Sequence, residues 1–317
     1  MTVSPTASSA ATPILRATRP RWGEQVIVGG LFVAAAFSVL VTGAIIAALL
    51  GPSLEFFAQI SFAEFLRKGI WAPRQGEFAV FNLVAGTLNV TMYALIVAIP
   101  GGLGAAVWLS EYAGPGARKT VKPILEVLEG VPTVAYGLFA YLFVTPILQR
   151  IWPTFLPGAL GEPPGIFSSG AAGLVMGIML IPTIASVSED AMRAVPSGMR
   201  QAAYGLGANR LQVATKVVVP GALSGIMAAF VLGVSRGIGE TMLVLIAAGA
   251  TAQFTLLPNE SVQTMTAFIA RTATGDIATG TMDYYVIFAV GALLFVFTFT
   301  MNMATIALVR RFRETYE

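Results

Sequence analysis

The sequence predicts an all-α integral membrane protein with six transmembrane helices and both termini in the cytoplasm. Three observations lead to this fold class. Hydrophobic residues make up 56% of the 317 residues and charged residues 11%, whereas roughly 25% of the residues in a soluble domain are charged. Long stretches of the chain lack Asp, Glu, Lys and Arg entirely. The basic residues between those stretches are distributed unevenly, as they are between the two sides of a membrane.

Six spans follow from the charge-free stretches once two of them are joined. A helix needs about 20 apolar residues to cross the hydrocarbon core. The fifth and sixth stretches are separated only by Arg236-Gly-Ile-Gly-Glu240, and the polar run 251–260 takes up much of the sixth. We therefore expect one helix over about 222–248 that contains two charged residues. The seven stretches are 25–54, 78–110, 130–149, 163–188, 217–235, 241–259 and 284–309.

The basic residues set the orientation, because Lys and Arg accumulate in cytoplasmic loops. With the N-terminus inside, thirteen of the nineteen basic residues fall in cytoplasmic segments, five fall outside and Arg236 lies in the membrane. A seventh span would move the basic cluster 310–313 to the outside and weaken this bias. The cytoplasmic residues are Arg16, Arg19, Arg21, Arg118, Lys119, Lys122, Arg193, Arg200, Arg210, Lys216, Arg310, Arg311 and Arg313.

Two segments flank the first span. Residues 1–24 are rich in Ser, Thr, Ala and Pro, and we expect a flexible cytoplasmic tail there, followed by one transmembrane domain over 25–317. The apolar run 25–50 is longer than a signal-peptide core of about 7–15 residues, so it is predicted to stay as an anchor helix. The outside segment 51–77 mixes aromatic and charged residues, which is typical of an interfacial helix. Its aromatic residues include Phe56, Phe57, Phe62, Phe65 and Trp71.

The residue types exclude several kinds of chemistry. The chain has no His and no Cys, so Ser-His and Cys-His catalysis, thiolate or imidazole metal sites and disulfides are excluded. The segment Gly114-Pro-Gly-Ala-Arg-Lys-Thr120 lacks the Gly that precedes Lys in the phosphate-binding loop of ATPases. We therefore expect no enzyme activity, metal or cofactor in this chain, and any ATP hydrolysis must come from another chain.

The long cytoplasmic segment 188–220 joins the fourth and fifth spans. Pro196-Ser-Gly is predicted to open a helix at about Met199. Gly207 can supply the backbone turn between two short helices, and Pro220 suits the first turn of the next span. The segment is therefore predicted to be a helix-turn-helix exposed at the cytoplasmic surface.

One motif in this segment resembles the EAA signature of ABC importer permeases. Gln201-Ala202-Ala203 is followed by three residues, Gly207, nine residues and then Val217-Val-Val-Pro220. The signature reads Glu-Ala-Ala, three residues, Gly, nine residues, Ile, one residue and Leu-Pro. Gln201 keeps a hydrogen-bonding side chain in place of the usual Glu but loses its charge. The resemblance implies a coupling helix that sits in a groove of a cytoplasmic ATPase, with polar contacts from Arg200, Tyr204, Asn209 and Arg210.

Further strings resemble the C-type (PstC-like) permeases of the Pst phosphate-specific ABC importers. The resemblance implies a type I (MetI-like) permease, with its core at about 80–310, that carries inorganic phosphate across the bacterial cytoplasmic (inner) membrane by alternating access. It also implies three kinds of partner: a second homologous permease (PstA-like), two ATPase subunits (PstB-like) that bind ATP and Mg, and a periplasmic phosphate-binding protein (PstS-like). The strings are Leu109-Ser-Glu-Tyr112, Gly130-Val-Pro-Thr133 with Tyr136-Gly137, Pro182-Thr-Ile-Ala185, Ser188-Glu-Asp-Ala191, Arg193-Ala-Val-Pro196 and Gly239-Glu-Thr-Met242.

Arg236 and Glu240 are the candidate substrate-path residues. A charge at the bilayer centre costs about 2.5–3.5 kcal/mol on insertion scales, and a spacing of four places both residues on one helix face. An Arg fork suits phosphate oxygens. We expect Glu240 to hold Arg236 when the path is empty and to hinder tight trapping of the anion. The alternative is a purely structural ion pair.

The sequence leaves more than one role open for other polar residues. Glu126 and Glu129 either line the inner mouth, contact the ATPase or form a solvated helix end. Polar residues of the second span either line the path or bond neighbouring helices; they are Asn82, Thr87, Asn89 and Thr91. Two alternatives to phosphate import also stay open. One is the same machine with sulfate, molybdate or phosphonate as its substrate, and the other is a stand-alone intramembrane enzyme or channel.

Overall fold

The computed structural model describes residues 22–153, 155 and 158–311, and within them the chain is almost entirely helical. The predicted tail 1–24 lies outside the described residues except for Trp22–Glu24, which begin the first helix. The elements are α1 Trp22–Gln59, α2 Phe62–Leu66, β1 Trp71–Ala72, β2 Glu77–Phe78, α3 Phe81–Val107, α4 Pro115–Glu129, α5 Thr133–Phe139, α6 Thr145–Ile151, α7 Ser169–Ala194, α8 Ser197–Gly205, α9 Arg210–Val213, α10 Val219–Gly221, α11 Leu223–Gly239, α12 Met242–Ala247, α13 Met265–Ala273 and α14 Met282–Arg311.

The chain divides into two units, Met1–Ala48 and Leu49–Glu317. In the described part of the first unit, residues 23–45 are all exposed, and most are apolar. A helix that is apolar on every side suits hydrocarbon rather than water. This agrees with the predicted anchor helix.

The described residues contain five helices long and apolar enough to span a membrane, or six when a bent pair is counted. The bent pair turns by 74° between Arg210–Gly221 and Leu223–Gly239. The predicted number of six spans is therefore confirmed when the bent pair is counted as one span. The five unbroken spans are Gly23–Gln59, Phe81–Tyr112, Thr133–Ile151, Ser169–Ala194 and Met282–Ala304.

Helices α3 and α7 run in the same direction and form the centre of the second unit. Glycines allow their backbones to approach, as is common between membrane helices. A Cβ at Gly177 would lie 2.7 Å from the Ala94 carbonyl oxygen, and one at Gly102 would lie 2.7 Å from Ile184. We call the end at which α3 and α7 begin the outer end, and the end at which they finish the inner end, following the orientation predicted from the basic residues.

The outer end contains a packed aromatic cluster where an interfacial helix was expected. Phe56 and Phe65 are fully buried, and their ring centroids lie 5.4 Å apart. Trp71, on the short antiparallel β1–β2 pair, packs edge-on against Phe268 at 4.9 Å. No single interfacial or amphipathic helix covers 51–77, because α1 ends at Gln59 and α2 covers only Phe62–Leu66. The chain then folds back on itself, and these rings cover one another.

The segment 249–264 folds back into the outer end and is held by side chains of α3 and α7. Asn89 donates to the Thr255 carbonyl at 2.6 Å, and the Ser169 hydroxyl donates to the Leu257 carbonyl at 3.1 Å. A Cβ at Gly86 would lie 2.3 Å from the Gln263 carbonyl oxygen, so only Gly fits there. Irregular backbone at this depth is tolerated because its polar groups are satisfied by the protein.

Candidate functional site

Arg236 forms an ion pair with Glu129 near the middle of the helical bundle. Its Nη1 donates to Glu129 Oε1 at 2.6 Å and to Thr183 Oγ1 at 2.9 Å. The Thr183 hydroxyl donates to the same Glu129 oxygen at 2.9 Å, and Arg236 Nη2 lies 3.4 Å from the Glu129 carbonyl oxygen. The three side chains form a closed triangle of hydrogen bonds.

Three helices bring these groups together. Arg236 lies in the last turn of α11, Glu129 is the last residue of α4, and Thr183 lies about midway along α7. Helix α4 stops at Glu129 because Gly130 caps it and Pro132 precedes α5. A helix that spans the membrane has its midpoint in the hydrocarbon core, so the ion pair lies at depth.

The pair is only partly covered by this chain. The Arg236 side chain is 29% exposed and the Glu129 side chain 35%. Gly239 leaves open space three residues after Arg236, because a Cβ there would meet nothing within 4 Å, whereas Gly237 is buried and a Cβ there would lie 3.3 Å from Thr91 Cγ2. An incoming group can therefore approach this site.

Glu240 does not hold Arg236, contrary to the prediction. The expected continuous helix 222–248 is broken: α11 ends at Gly239, and Glu240 is extended, with φ −64° and ψ 132°. Its carboxylate Oε1 accepts from the backbone N–H of Thr241 at 3.1 Å and of Leu243 at 3.2 Å. The carboxylate thus caps the start of α12. The break removes the spacing of four that would have brought Glu240 to Arg236.

The polar residues of the second span have structural roles. Asn82 donates to the carbonyls of Gly69 and Ala252, both at 3.1 Å. Thr87 Oγ1 accepts from the Met265 N–H at 3.0 Å, and Thr91 donates to the Thr87 carbonyl. Asn82, Thr87 and Asn89 therefore fix the outer-end segments. For these three residues the geometry favours bonding to neighbouring segments, whereas the Thr91 bond stays within α3.

The segment 188–220 contains the predicted helix-turn-helix, with a different start. Residues 188–194 are the last turns of α7 rather than part of a loop, and α8 then begins at Ser197 directly after Pro196. Gly207 has φ +86° and makes the turn. Asn209 begins α9 with a reciprocal pair of hydrogen bonds to Gln212, both 2.9 Å. Pro220 lies in α10, before the 74° bend into α11.

Several residues of this segment form an exposed surface at the inner end. Leu206 is 90% exposed and Leu211 is 61% exposed. Large apolar side chains in such positions mark an interaction surface. We call this surface the inner-end knob. Its other exposed residues include Gln201, Ala202, Tyr204, Gly207 and Arg210, whereas Ala203 is half-buried.

Arg200 is partly buried and bonded within this chain, and its expected contact with a partner stays a prediction. Its guanidinium forms an ion pair with Glu111 at 3.1 Å and donates to the carbonyls of Met192 at 2.7 Å and Val195 at 2.6 Å. Met192 and the cap residue Val195 lie at the end of α7, where the Met192 carbonyl also accepts from the Val195 N–H at 3.3 Å. Arg200 therefore ties the inner-end knob to the ends of α3 and α7.

A second ion cluster, which was not predicted from the sequence, joins α4 to the end of α7. Glu189 is fully buried, and it pairs with Arg118 at 2.6 Å and with Lys122 at 2.8 Å. Lys122 also bonds Asp190 at 2.5 Å. Partial burial lowers the pKa of the Lys122 ammonium, but hydrogen bonds and attraction from Asp190 and Glu189 outweigh this and raise the pKa above its ordinary value. Lys122 therefore stays charged at neutral pH.

Among the described residues, no group of three or more Asp or Glu side chains is placed to hold a metal ion. The Arg236 guanidinium is instead suited to bind an anion such as a phosphate or a carboxylate, because it offers paired N–H donors in one plane. Sequence reasoning found Arg236 but missed Glu129 and Thr183 as its partners. The only available signal was a charge at the end of an amphipathic helix, followed by Gly130 and Pro132.

Comparison with known proteins identifies relatives over most of the chain. The family described as "Binding-protein-dependent transport system inner membrane component" matches residues 98–314. The phosphate transport system permease protein PstC of Haemophilus influenzae is 31% identical over 261 residues, which is 79% of this chain and 82% of that protein. PstC of Pasteurella multocida is 34% identical, over 68% of this chain and 70% of the relative. The probable ABC transporter permease protein YqgH of Bacillus subtilis is 31% identical, over 76% of this chain and 75% of that protein.

Two solved structures share the fold. A chain of the bacterial alginate ABC transporter, in complex with an alginate pentasaccharide-bound periplasmic protein, gives a TM-score of 0.62 at 16% identity and covers 94% of this chain and 100% of its own. A chain of the inward-facing MetNI methionine ABC transporter gives a TM-score of 0.54 at 20% identity and covers 74% of this chain and 94% of its own. The predicted type I importer permease fold is confirmed. The chain belongs to the family of binding-protein-dependent transport system inner membrane components.

Proposed function

We propose that this chain is a permease subunit of an ATP-driven importer that moves inorganic phosphate across the bacterial cytoplasmic membrane. The observation that carries the proposal is the partly exposed Arg236 guanidinium at depth in the bundle. A cation in the membrane core is costly unless it serves a polar path or a counter-ion. The relatives named as phosphate permeases support phosphate as the anion.

The guanidinium suits this role for chemical reasons. Arg stays charged at all physiological pH values and presents N–H donors in a fork that matches two phosphate oxygens. Its location in the last turn of α11 leaves the exposed Gly239 nearby, where no side chain adds bulk in the way of an approaching anion. Arg236 is the group we expect a translocated phosphate to contact.

The inner-end knob is proposed to dock on a cytoplasmic ATPase. Its spacing of Gln201, Gly207 and Pro220, its turn at Gly207 and its exposed Leu206 suit a surface that inserts into a groove. Two ATPase subunits (PstB-like) would bind ATP and Mg and hydrolyse the ATP. A second permease (PstA-like) would complete the path, and a phosphate-binding protein (PstS-like) would deliver the anion at the outer end. This chain itself would bind no cofactor and act as a transport subunit rather than an enzyme.

Uptake of labelled phosphate at low concentration tests the proposal. Cells that lack this gene would receive wild type, Arg236→Gln or Arg150→Gln, the last being an exposed Arg near the end of α6 and a matched control. We expect uptake with wild type and the control, and loss with Arg236→Gln at equal membrane levels. Wild-type uptake by Arg236→Gln would contradict the proposal. Competition by sulfate, molybdate or a phosphonate stronger than that by phosphate would replace phosphate with that anion.

A further inference from the structure

We propose that Glu129 is the resident counter-ion of Arg236, and that it sets how readily a bound anion is released. The inference rests on the proposed function, because it takes Arg236 as the group that contacts the anion. The juxtaposition that carries it is a carboxylate at the end of α4 that takes an Nη1 donor of a partly exposed guanidinium at the end of α11.

The geometry of the triangle shows how fully the carboxylate occupies that donor. A Thr hydroxyl has one proton. The Thr183 proton is used toward Glu129 Oε1, so Thr183 Oγ1 is an acceptor for Arg236 Nη1. Glu129 Oε1 thus receives two donors, and its ion-pair distance of 2.6 Å is that of a short charge-assisted bond. An anion can use Nη1 fully only after this oxygen has moved.

A phosphate that uses the Arg236 fork competes with the Glu129 carboxylate for Nη1, because both present oxygens to the same guanidinium. When an anion displaces Glu129, the carboxylate stays tethered at the end of α4, beside a like charge. Repulsion between like charges is stronger at depth than in water, because the effective dielectric constant is lower. The carboxylate therefore weakens the bound state and favours release, as a transport site requires.

The surroundings allow this exchange without loss of the Arg236 position. When the carboxylate leaves, Thr183 Oγ1 and the Glu129 carbonyl remain within reach of the guanidinium. Glu129 is followed by Gly130 and Val131 before α5 begins, so it stands at a helix end rather than inside a rigid helix. Glu240, whose carboxylate is engaged by backbone N–H groups of α12, does not compete for this role.

Glu129→Gln tests the inference, with Glu126→Gln as the matched control. Glu126 lies three residues earlier on α4 and is exposed. The importer complex, purified through this chain without its binding protein, would be incubated with labelled inorganic phosphate. We expect Glu129→Gln to bind phosphate roughly tenfold more tightly, the scale of one bond to a charged group, and to transport it more slowly in vesicles supplied with the binding protein. Glu126→Gln should match wild type in both assays.

Two further variants separate the outcomes. Glu129→Asp keeps the like charge and should keep the weak binding of wild type, whereas Glu129→Ala should bind tightly, as Glu129→Gln does. The counter-ion role is overturned if both neutral variants bind phosphate no more tightly than wild type while Arg236→Gln has lost uptake. If Arg236→Gln transports normally, the proposed function fails instead. The amount of purified complex in each sample separates these results from loss of assembly.

Discussion

Two Arg–Glu pairs in this protein use the same chemistry for different ends. At the inner end, Arg200 pairs with Glu111 at 3.1 Å, and these side chains are 19% and 6% exposed. At the bundle centre, Arg236 pairs with Glu129 at 2.6 Å, and these are 29% and 35% exposed. Arg200 also satisfies two carbonyls at the end of α7. The first pair is closed on every side by its own chain, while the second leaves its charges within reach.

The difference shows that a short ion-pair distance does not by itself indicate a structural role. Breaking a buried pair leaves an uncompensated charge, so such a pair is hard to exchange. A partly exposed pair costs less to open and can exchange its partner for another anion. Each Arg has two further acceptors within the chain, so exposure is what distinguishes the two cases here.

The largest effect on stability is expected from Arg200→Gln. It leaves Glu111 buried without its cation and removes the Arg200 bonds to the Met192 and Val195 carbonyls at the end of α7. Loss of one partner of a buried pair costs about 3–5 kcal/mol. Thermal unfolding of the purified complex should show a clearly lowered midpoint and less protein in the membrane. A midpoint equal to that of wild type would show that this pair is not the closed anchor described above.

A smaller effect is expected from Gly207→Ala in the inner-end knob. A side chain at φ +86° is strained, by roughly 1–2 kcal/mol for an L-residue in the left-handed region. The distorted turn should reduce co-purification of ATPase subunits with this chain. Gly198→Ala is the matched control, because nothing lies within 4 Å of its Cβ and its φ is not positive. Equal recovery of ATPase with both variants would show that the turn at Gly207 does not contribute to docking.

The smallest effect on stability is expected from Arg236→Gln. The Glu129 side chain is 35% exposed whereas that of Glu111 is 6% exposed, so the carboxylate left without its cation is less enclosed by this chain and should cost less than the one left by Arg200→Gln. The unfolding midpoint should therefore fall much less than with Arg200→Gln. A fall as large as that of Arg200→Gln would show that the Arg236–Glu129 pair is as important for stability as the Arg200–Glu111 pair.

Local patterns in the sequence predicted much of the fold. Charge-free stretches gave the number of spans, and Pro196 and Gly207 gave the start and the turn of the inner-end knob. These features depend on residues close together in the chain. The aromatic residues of 51–77 were misjudged because their burial depends on Phe268, far along the chain.

The ion pairs were harder to predict because they join distant residues. Arg236 and Glu129 are 107 positions apart, and Arg200 and Glu111 are 89 apart. A spacing of four made Glu240 the natural partner of Arg236, but this holds only while the helix continues. Gly237 and Gly239 weaken the helix there, and the Glu240 carboxylate gains two N–H donors by ending it.

The most direct test of the open pair combines transport with stability for a single variant. Phosphate uptake by Arg236→Gln would be measured per assembled complex, with the unfolding midpoint of the same preparation and Arg150→Gln as control. The account predicts that uptake per complex is lost while the midpoint stays close to that of wild type. Uptake per complex equal to wild type would contradict it, and would leave Arg236 and Glu129 as a structural pair.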